Sequence, residues 1–389
     1  MNKQPALNEK DHDETRRTLM KTVMNAGLAV SLLPLTFADS SNATTSSNNQ
    51  PNNVNKLNTD QNPNQPEQSN RSNMSVNTVR YEHNKIIQWG VVRDETIIPI
   101  PGAFPTTGDF VESVSIAELT KLEKNPIQLS DVKILSPITG NQRFVCQGAN
   151  YRKHMIESGM NPDDKNFNMI FTKASSSMAS YNTDIVRPAA SKLLDYEVEL
   201  GIVLRTSIAK AVQVNDGNLH EYIAGIVIVN DISARDIQVP QMQFYKGKSF
   251  RTFGPIGPYL CLLDKNDMHY LDKLQLRLKV NGETRQSDST GDMVYRPAET
   301  LTELSSVHDF SPGDLIATGT PAGCALTVPS QAKQKIAGFL PEAMKWKLFL
   351  KLQSERTQYL QPGDRIETSI FSTDKTIDLG TQLNRIVQG

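Results

Sequence analysis

The strongest structural signal in the sequence is the stretch Asp195-Tyr196-Glu197-Val198-Glu199-Leu200-Gly201-Ile202-Val203-Leu204. Polar and apolar residues alternate at its start, and apolar residues fill its end. Such alternation is typical of a β-strand, in which successive side chains point to opposite faces. It places Asp195, Glu197 and Glu199 on one face. Neighbouring carboxylates repel by about 4 kcal/mol per pair at about 4 Å and an effective dielectric near 20, unless water or a cation screens them. The stretch therefore predicts either a solvated acidic face or a metal site.

A second acidic residue, Asp231, follows the apolar run Ile226-Val227-Ile228-Val229 and Asn230. A carboxylate at the end of a buried strand is poised to point into a cleft. Together with Glu197 and Glu199 it forms an oxygen-only donor set, which favours Mg²⁺, with Mn²⁺ or Ca²⁺ as substitutes, over zinc. Three carboxylates do not fill an octahedron, so we expect water and an oxygen-bearing substrate to take the remaining positions.

The rest of the chain shows more strand patterns than helical ones, which predicts a mainly β, α+β protein. Strands are predicted over 197–204, 223–229, 274–280, 315–318 and 365–371, and helices over 115–122 and 330–350. Asn281-Gly282 between alternating residues predicts a tight hairpin, because such a turn requires positive φ at both central positions. We assign residues 78–136 to a small N-terminal β-rich domain and residues 137–389 to the catalytic domain.

Composition excludes several functional classes. The chain has 389 residues, with 41 Lys+Arg against 42 Asp+Glu, and therefore lacks the basic excess that binding to nucleic acid requires. A small ligand is expected instead. The cysteines Cys146, Cys261 and Cys324 lie far apart and have no CxxC spacing, so they predict buried small side chains rather than disulfides or a zinc knuckle.

The N-terminal residues have the layout of an export signal. Arg16 and Arg17 precede an uncharged stretch over 22–38, which is short for a membrane-spanning helix of about 20 residues. We predict a twin-arginine-type signal over 1–38, export to the periplasm and no stable membrane insertion after processing. The alternative is a disordered tail on a cytoplasmic protein. Residues 39–77 are dominated by Asn, Ser, Gln, Thr and Pro and predict a disordered linker.

Two motifs of this sequence, Asp-Tyr-Glu-Val-Glu at 195–199 and Asn-Asp-x-Ser-Ala-Arg-Asp-x-Gln at 230–238, resemble the fumarylacetoacetate hydrolase family. Further segments agree with that family in order and type. They are Gly148-Ala149-Asn150-Tyr151-Arg152-Lys153-His154, Lys246-Gly247-Lys248-Ser249-Phe250, Gly254-Pro255-Ile256-Gly257-Pro258, Val280-Asn281-Gly282-Glu283, Pro312-Gly313-Asp314 and Thr318-Gly319-Thr320-Pro321-Ala322-Gly323. The sequence departs from the family at Arg251 and at Cys324-Ala325-Leu326, which leaves the substrate preference open.

The resemblance implies a mixed β-roll core that holds one divalent ion, Mg²⁺ or Mn²⁺, in a cleft for 2-oxo or 2,4-dioxo acids. It also implies a homodimer and a role in aromatic catabolism. Carried over residue by residue, the metal ligands are Glu197, Glu199 and Asp231. The residues at substrate-contacting positions are Arg235, Gln238, Lys248 and Thr320, and Lys248 also counts among the catalytic residues. Positive side chains are needed there, because three carboxylates around a dication would otherwise repel an anionic substrate.

His154 and Glu157 form a His-x-x-Glu pair, which a helix would place on one face. In the context of the resemblance we interpret the two residues as a catalytic dyad that activates water, a contribution of about 10² to 10⁴ in rate. A chance pair on an exposed helix is the alternative.

The predicted function is metal-dependent hydrolysis of a C–C bond in a 2,4-dioxo acid of the acylpyruvate or fumarylpyruvate type, through an enolate that the metal stabilises. Decarboxylation and isomerisation pass through the same enolate and stay open. A different class, an exported protein that binds small oxo acids without turning them over, stays open as well.

Overall fold

The structure of the protein is a computed structural model that describes residues 75–123, 125–329 and 337–389. The predicted export signal lies outside the described residues, as does the predicted linker up to residue 74. The first strand begins at Val76, inside the range predicted as linker, because Val76 and the alternating residues after it pair with two neighbouring strands. Among the helices of the described residues, none has the length and apolar character needed to span a bilayer.

The described residues form mainly strands, joined by short helices. The strands are β1 (Val76–His83), β2 (Ile86–Arg93), β3 (Thr96–Pro99), β4 (Ile127–Gln128), β5 (Lys133–Leu135), β6 (Phe144–Gly148), β7 (Met169–Lys173), β8 (Met178–Ser180), β9 (Ile185–Arg187), β10 (Leu194–Asp195), β11 (Val198–Leu204), β12 (Ile223–Asn230), β13 (Ser233–Ala234), β14 (Gly254–Ile256), β15 (Leu260–Leu262), β16 (Leu274–Val280), β17 (Glu283–Ser289), β18 (Leu315–Ala317), β19 (Arg365–Ser372) and β20 (Asp378–Gln388). The helices are α1 (Thr107–Ser113), α2 (Ile116–Leu119), α3 (Arg152–Glu157), α4 (Leu219–Tyr222), α5 (Arg235–Gln241), α6 (Phe244–Lys248), α7 (Pro297–Ser305) and α8 (Glu342–Ser354).

The main sheet has 13 strands, and β11 and β12 lie next to each other near its middle. Every residue of these two strands is buried. Their sequences are rich in Val and Ile, whose branched side chains suit a strand that is packed on both faces. β1 pairs with β15, and β15 pairs with β12. The small N-terminal domain predicted over 78–136 therefore shares a sheet with the rest of the chain.

A second sheet of five strands runs in the order β17-β16-β19-β20-β9. β16 and β17 are joined at Asn281 and Gly282, which have φ of 53° and 85°. The predicted hairpin is therefore confirmed. Most pairs are antiparallel, as predicted, but β6 with β18, β8 with β14 and β9 with β20 are parallel. The mixed sheets and short helices confirm the α+β class.

The predicted helices are shorter or displaced in the structure. The helix predicted over 115–122 is confined to Ile116–Leu119, and the sequence analysis missed α1, which begins after a capping box made by Thr106 and Asp109. The helix predicted over 330–350 is α8, which begins after Pro341, a residue that fixes the entry into the first turn. Residues 330–336 lie outside the described residues.

Candidate metal centre

Three carboxylates meet where β11 begins and β12 ends. The two strands are antiparallel, and Val198 pairs with Asn230. This register brings Glu197 and Glu199, which flank Val198, next to Asp231, which follows Asn230. Carboxylate oxygens of the three acidic residues lie within 4.8 Å of one another. The sequence therefore predicted correctly that these residues lie together.

The cluster is buried, and this excludes a solvated acidic strand face. Glu197 is 5% exposed and Glu199 is 1% exposed. Asp195 was predicted on the same face, but the strand is interrupted at residues 196–197, between β10 and β11. Its carboxylate accepts hydrogen bonds from the backbone N–H groups of Ala325 (2.8 Å) and Leu326 (3.0 Å) instead. Asp195 therefore anchors the chain after Gly323 and is not part of the three-carboxylate cluster.

Three buried cations contact the acidic residues. The ammonium group of Lys248 donates to Glu197 and, at 2.6 Å, to Oδ2 of Asp231. The ammonium group of Lys173 donates to the other carboxylate oxygen of Asp231. Arg235 donates from Nε to Asp195 at 2.8 Å and from Nη2 to Glu197 at 2.6 Å. We call these residues the buried ion-pair network: Asp195, Glu197, Asp231, Lys173, Arg235 and Lys248.

Of the three carboxylates in the cluster, that of Glu199 has no cationic partner among the described residues. Burial raises its pKa well above the ordinary value, and the carboxylates of Asp231 and Glu197 raise it further. Burial acts on Glu197 in the same direction, but Arg235 and Lys248 outweigh it and hold the pKa of Glu197 below the ordinary value. The carboxylate of Glu199 accepts a hydrogen bond of 2.9 Å from the backbone N–H of Gly319. When Glu199 is ionised, as metal binding requires, one charge of the cluster is therefore uncompensated.

The charges and donors fit a divalent cation. The buried ion-pair network has three carboxylates and three cations, so an ionised Glu199 leaves the site with one excess negative charge. The ammonium group of Lys248 already lies between Glu197 and Asp231, which indicates that a cation is favourable at this position. The donors are all oxygens, and each carboxylate oxygen has two lone pairs, so it can accept a hydrogen bond and also bind a metal. Glu197, Glu199 and Asp231 would hold Mg²⁺ or Mn²⁺.

Two further predicted substrate residues, Gln238 and Thr320, are also buried. Oε1 of Gln238 accepts a hydrogen bond of 2.8 Å from Nη1 of Arg235, which places Gln238 next to the cluster. The hydroxyl of Thr320 donates to the carbonyl oxygen of Val198 at 3.0 Å and accepts from Gln286 at 2.8 Å. Its one proton is therefore already used within the protein.

His154 and Glu157 both lie on α3, as predicted, but they contact different groups. The carboxylate of Glu157 accepts a hydrogen bond of 3.0 Å from the backbone N–H of Gly323. Nδ1 of His154 is buried and has no hydrogen-bond partner among the described residues. Burial lowers the pKa of His154, although Glu197 opposes this effect, so the ring is neutral near pH 7. Within the described residues, no hydrogen bond joins His154 to Glu157.

Sequence reasoning missed Lys173, whose side chain pairs with Asp231. Lys173 ends β7, in which Met169, Ile170 and Phe171 precede it. A charged side chain at the end of an apolar strand is the same signal that identified Asp231. The sequence did contain this signal, but nothing in it showed that the two strand ends lie together.

Gly323 adopts a backbone conformation in which a side chain would clash, and it positions the loop after it beside the cluster. Its φ is +102°, and a Cβ atom would lie 2.1 Å from the carbonyl oxygen of Arg285. We expect Gly323→Ala to displace the loop and to break the hydrogen bond to Glu157, with a loss of turnover of at least about tenfold. Gly282→Ala has the same kind of φ but open space around it. Equal turnover in the two variants would contradict the role of this loop.

Comparisons with known protein families cover most of the described chain. The family described as fumarylacetoacetate (FAA) hydrolase C-terminal matches residues 143–387. The family described as Rv2993c-like, N-terminal, matches residues 78–137. Together the two matches span both predicted domains.

Individual proteins similar to this chain have several activities. The oxaloacetate tautomerase YisK of Bacillus subtilis is 34% identical over 262 residues, which are 66% of this chain and 74% of that protein. A putative hydrolase of Burkholderia cenocepacia is 35% identical over 57% of this chain and 77% of its own length. Among solved structures, the fumarylacetoacetate hydrolase of Exiguobacterium antarcticum has a TM-score of 0.62 at 28% identity, over 81% of this chain and 100% of that chain. The 2-hydroxyhepta-2,4-diene-1,7-dioate isomerase of Mycobacterium marinum shares the fold, with a TM-score of 0.58 at 24% identity over 80% of this chain and 98% of that chain.

Proposed function

Because this chain belongs to the fumarylacetoacetate hydrolase family, we propose that it is a divalent-metal-dependent enzyme that forms the enolate of a small 2-oxo acid. The reaction that the geometry supports best is keto–enol tautomerisation of a 2-oxo dicarboxylic acid such as oxaloacetate. The observation that carries the proposal is the buried three-carboxylate cluster, next to a histidine whose Nδ1 has no hydrogen-bond partner among the described residues. The similarity to an oxaloacetate tautomerase supports the choice of reaction.

The charge of the site suits an anionic substrate once a dication is bound. A dication changes the excess charge of the cluster from −1 to +1, and Arg235 and Lys248 add donors for a substrate carboxylate. Because the hydroxyl of Thr320 is already engaged, we assign its backbone N–H to the substrate carboxylate. Bound Mg²⁺ or Mn²⁺ supplies Lewis-acid chemistry that lowers the energy of negative charge on the C2 oxygen.

His154 is the residue that we assign to proton transfer. A base must be neutral at the working pH, and burial keeps the pKa of His154 below its ordinary value. In tautomerisation the ring takes the proton from C3 of the keto form and delivers it to the C2 oxygen. Lys248, whose ammonium group contacts Glu197 and Asp231, is the cation that we assign to offset the charge that develops on the substrate in between.

Hydrolysis of a 2,4-dioxo acid is the second candidate, and the position of His154 and Glu157 on one helix favours it. In this reaction His154 takes a proton from water, and the resulting hydroxide attacks the distal carbonyl carbon. The C–C bond breaks, one fragment leaves as a carboxylic acid, and the other leaves as the enolate of a 2-oxo acid, which is then protonated. This role needs Glu157 to leave Gly323 and contact His154.

A substrate panel distinguishes the candidates. We expect the full chain with Mg²⁺ or Mn²⁺ to speed the decay of the enol absorbance of oxaloacetate above the rate with metal alone, and chelation to remove this effect. Cleavage of acylpyruvate or fumarylpyruvate without tautomerase activity would establish hydrolysis instead. Release of CO₂ from oxaloacetate would establish a decarboxylase. Metal-dependent binding of these acids without turnover would establish a binding protein and contradict the proposal.

Replacing His154 tests its assignment. We expect His154→Ala to lower tautomerisation by about 10² to 10⁴, the usual contribution of a general acid–base group, with little change in Mg²⁺ affinity. His308→Ala is the matched control, because His308 is a partly buried histidine in the loop after α7, outside the cluster, whose ring contacts the backbone of Asp309. A variant at His154 with the turnover and pH profile of the unaltered protein would show that another group moves the proton.

A further inference from the structure

Cys324 lies next to His154 and Glu197, on the side of Glu197 that faces α3 and the loop after Gly323. One ligand atom of each of these three residues lies within 4.8 Å of the other two. Sγ of Cys324 is 3.8 Å from Oε1 of Glu197. Nδ1 of His154 is buried and has no hydrogen-bond partner among the described residues. Leaving a buried polar atom without a hydrogen bond costs about 1 to 3 kcal/mol. A metal ion bound through Nδ1 would satisfy this nitrogen.

We propose that His154, Glu197 and Cys324 form a second metal site, for a thiophilic dication such as Zn²⁺, which shares Glu197 with the three-carboxylate site. Imidazole nitrogen, thiolate sulfur and carboxylate oxygen are the ligands of zinc in proteins, whereas Mg²⁺ prefers oxygen alone. Three protein ligands leave the fourth tetrahedral position to water. The two sites therefore select different metals by their donor atoms.

The distances suit such a site after small side-chain movements. Zinc bonds of about 2.0 to 2.3 Å at tetrahedral angles place ligand atoms about 3.3 to 3.8 Å apart. The contact between Cys324 and Glu197 already has this length, at 3.8 Å. The outer limit of the cluster, 4.8 Å, exceeds it by about one ångström.

Metal binding at this site requires loss of a proton. Burial raises the pKa of Cys324 well above its ordinary value, so the thiol is protonated in the metal-free protein. When the dication binds, the S–H bond is replaced by a sulfur–metal bond and the proton passes to solvent. Thiolate and carboxylate then balance the dication, although Arg235 lies close to Glu197.

The shared carboxylate gives this second site a consequence for activity. Two dications that share one carboxylate repel each other and divide its single negative charge, so zinc bound to His154 and Cys324 lowers the affinity of the three-carboxylate site for Mg²⁺. It also occupies the imidazole to which we assign proton transfer. Zinc therefore inhibits the Mg²⁺-dependent enzyme. Binding at this site does not depend on the proposed reaction and is measured without it.

The test uses Co²⁺ as a spectroscopic probe for zinc. We expect the full metal-free chain to develop a thiolate-to-cobalt charge-transfer band on addition of one equivalent of Co²⁺, and Zn²⁺ to abolish the band. Cys324→Ala should lose the band and at least about tenfold in Zn²⁺ affinity, measured against a chromophoric chelator, with unchanged Mg²⁺ affinity. Cys261→Ala is the matched control, because Cys261 is also a buried free thiol, within β15, and should keep the band.

Three results would overturn the proposal. The first is Co²⁺ binding without a thiolate band in the unaltered chain. The second is a band that persists in Cys324→Ala, which would assign it to another thiol. The third is equal inhibition of the unaltered chain and Cys324→Ala by Zn²⁺, which would place zinc at the three carboxylates. Should Cys324→Ala fail to fold, Cys324→Ser and His154→Gln serve instead, and each must weaken Zn²⁺ binding.

Discussion

Glu199→Gln is expected to abolish Mg²⁺-dependent turnover and to weaken Mg²⁺ binding by more than about 100-fold. Loss of a residue that only hydrogen-bonds to a metal ligand weakens metal binding by up to about 100-fold, and loss of a ligand itself should weaken it more. The same substitution is expected to leave the metal-free protein at least as stable as the unaltered one. Glutamine keeps an oxygen that accepts the hydrogen bond from Gly319. It also removes a buried carboxyl group whose ionised form has no cationic partner among the described residues.

The raised pKa of Glu199 determines how the effect of Glu199→Gln on stability should change with pH. An acid whose pKa is raised in the folded state favours folding in its protonated form, so its contribution is present at low pH and is lost as the pH rises above the value of an unfolded glutamate, about 4.3. The pKa of Glu199 is raised by burial and by the neighbouring carboxylates. The stability advantage of Glu199→Gln in chelator should therefore be absent in acid and grow towards neutral pH, whereas Mg²⁺ should reverse it.

Unfolding in denaturant, with chelator and with Mg²⁺ at several pH values, measures these effects. Glu367→Gln is the matched control, because Glu367 is partly exposed on β19 and pairs with Lys279. We expect it to change neither metal binding nor stability by more than about 1 kcal/mol. The account of the site would be contradicted by a Glu199→Gln protein that binds Mg²⁺ normally, or that is less stable than the unaltered chain in chelator at neutral pH.

Arg235→Met is expected to cost about 3 to 5 kcal/mol of folding free energy in the metal-free protein, the usual effect of removing one partner from a buried ion pair. The guanidinium of Arg235 donates to Asp195 and to Glu197, all of them buried. Methionine has a similar length but cannot donate. Two buried carboxylates would then lose a charge partner. Mg²⁺ should recover part of the loss, since it compensates Glu197.

The control for this variant is an exposed pair of the same chemistry. Arg385 pairs with Asp184 at 2.7 Å, and both side chains are well exposed to water. Because exposed pairs contribute about 0 to 1 kcal/mol, Arg385→Met should have a small effect on the midpoint of denaturation. Similar losses in the two variants would show that the buried ion-pair network does not stabilise the fold.

The sequence predicted those parts of the site that lie on regular strands. Glu197, Glu199 and Asp231 were identified because β11 and β12 are apolar strands whose ends carry acidic residues. The antiparallel register then brings the strand ends together. Asp195 lies outside the three-carboxylate cluster, although Arg235 contacts both Asp195 and Glu197. It was predicted with the cluster because the alternation assumed one continuous strand. The interruption at residues 196–197 depends on how the backbone pairs with β13, which no local pattern encodes.

Contacts between distant segments could not be predicted in this way. Lys173 pairs with Asp231 across 58 positions of sequence, and Glu157 contacts Gly323 across 166. Cys324 was predicted to be a buried small side chain. It is buried, but its neighbours His154 and Glu197 come from two other segments. Short helices such as α1 and α2 were missed or overestimated because tertiary packing, rather than helix propensity, decides elements of so few residues.

A crystal of the full chain soaked in Mn²⁺ tests the central claim most directly, by anomalous diffraction at the manganese edge. The account predicts one strong peak among the carboxylates of Glu197, Glu199 and Asp231, with the ammonium group of Lys248 displaced from at least one of the oxygens that it contacts in the metal-free protein. A map with no peak at these carboxylates, and with Lys248 still bound to Glu197 and Asp231, would contradict it.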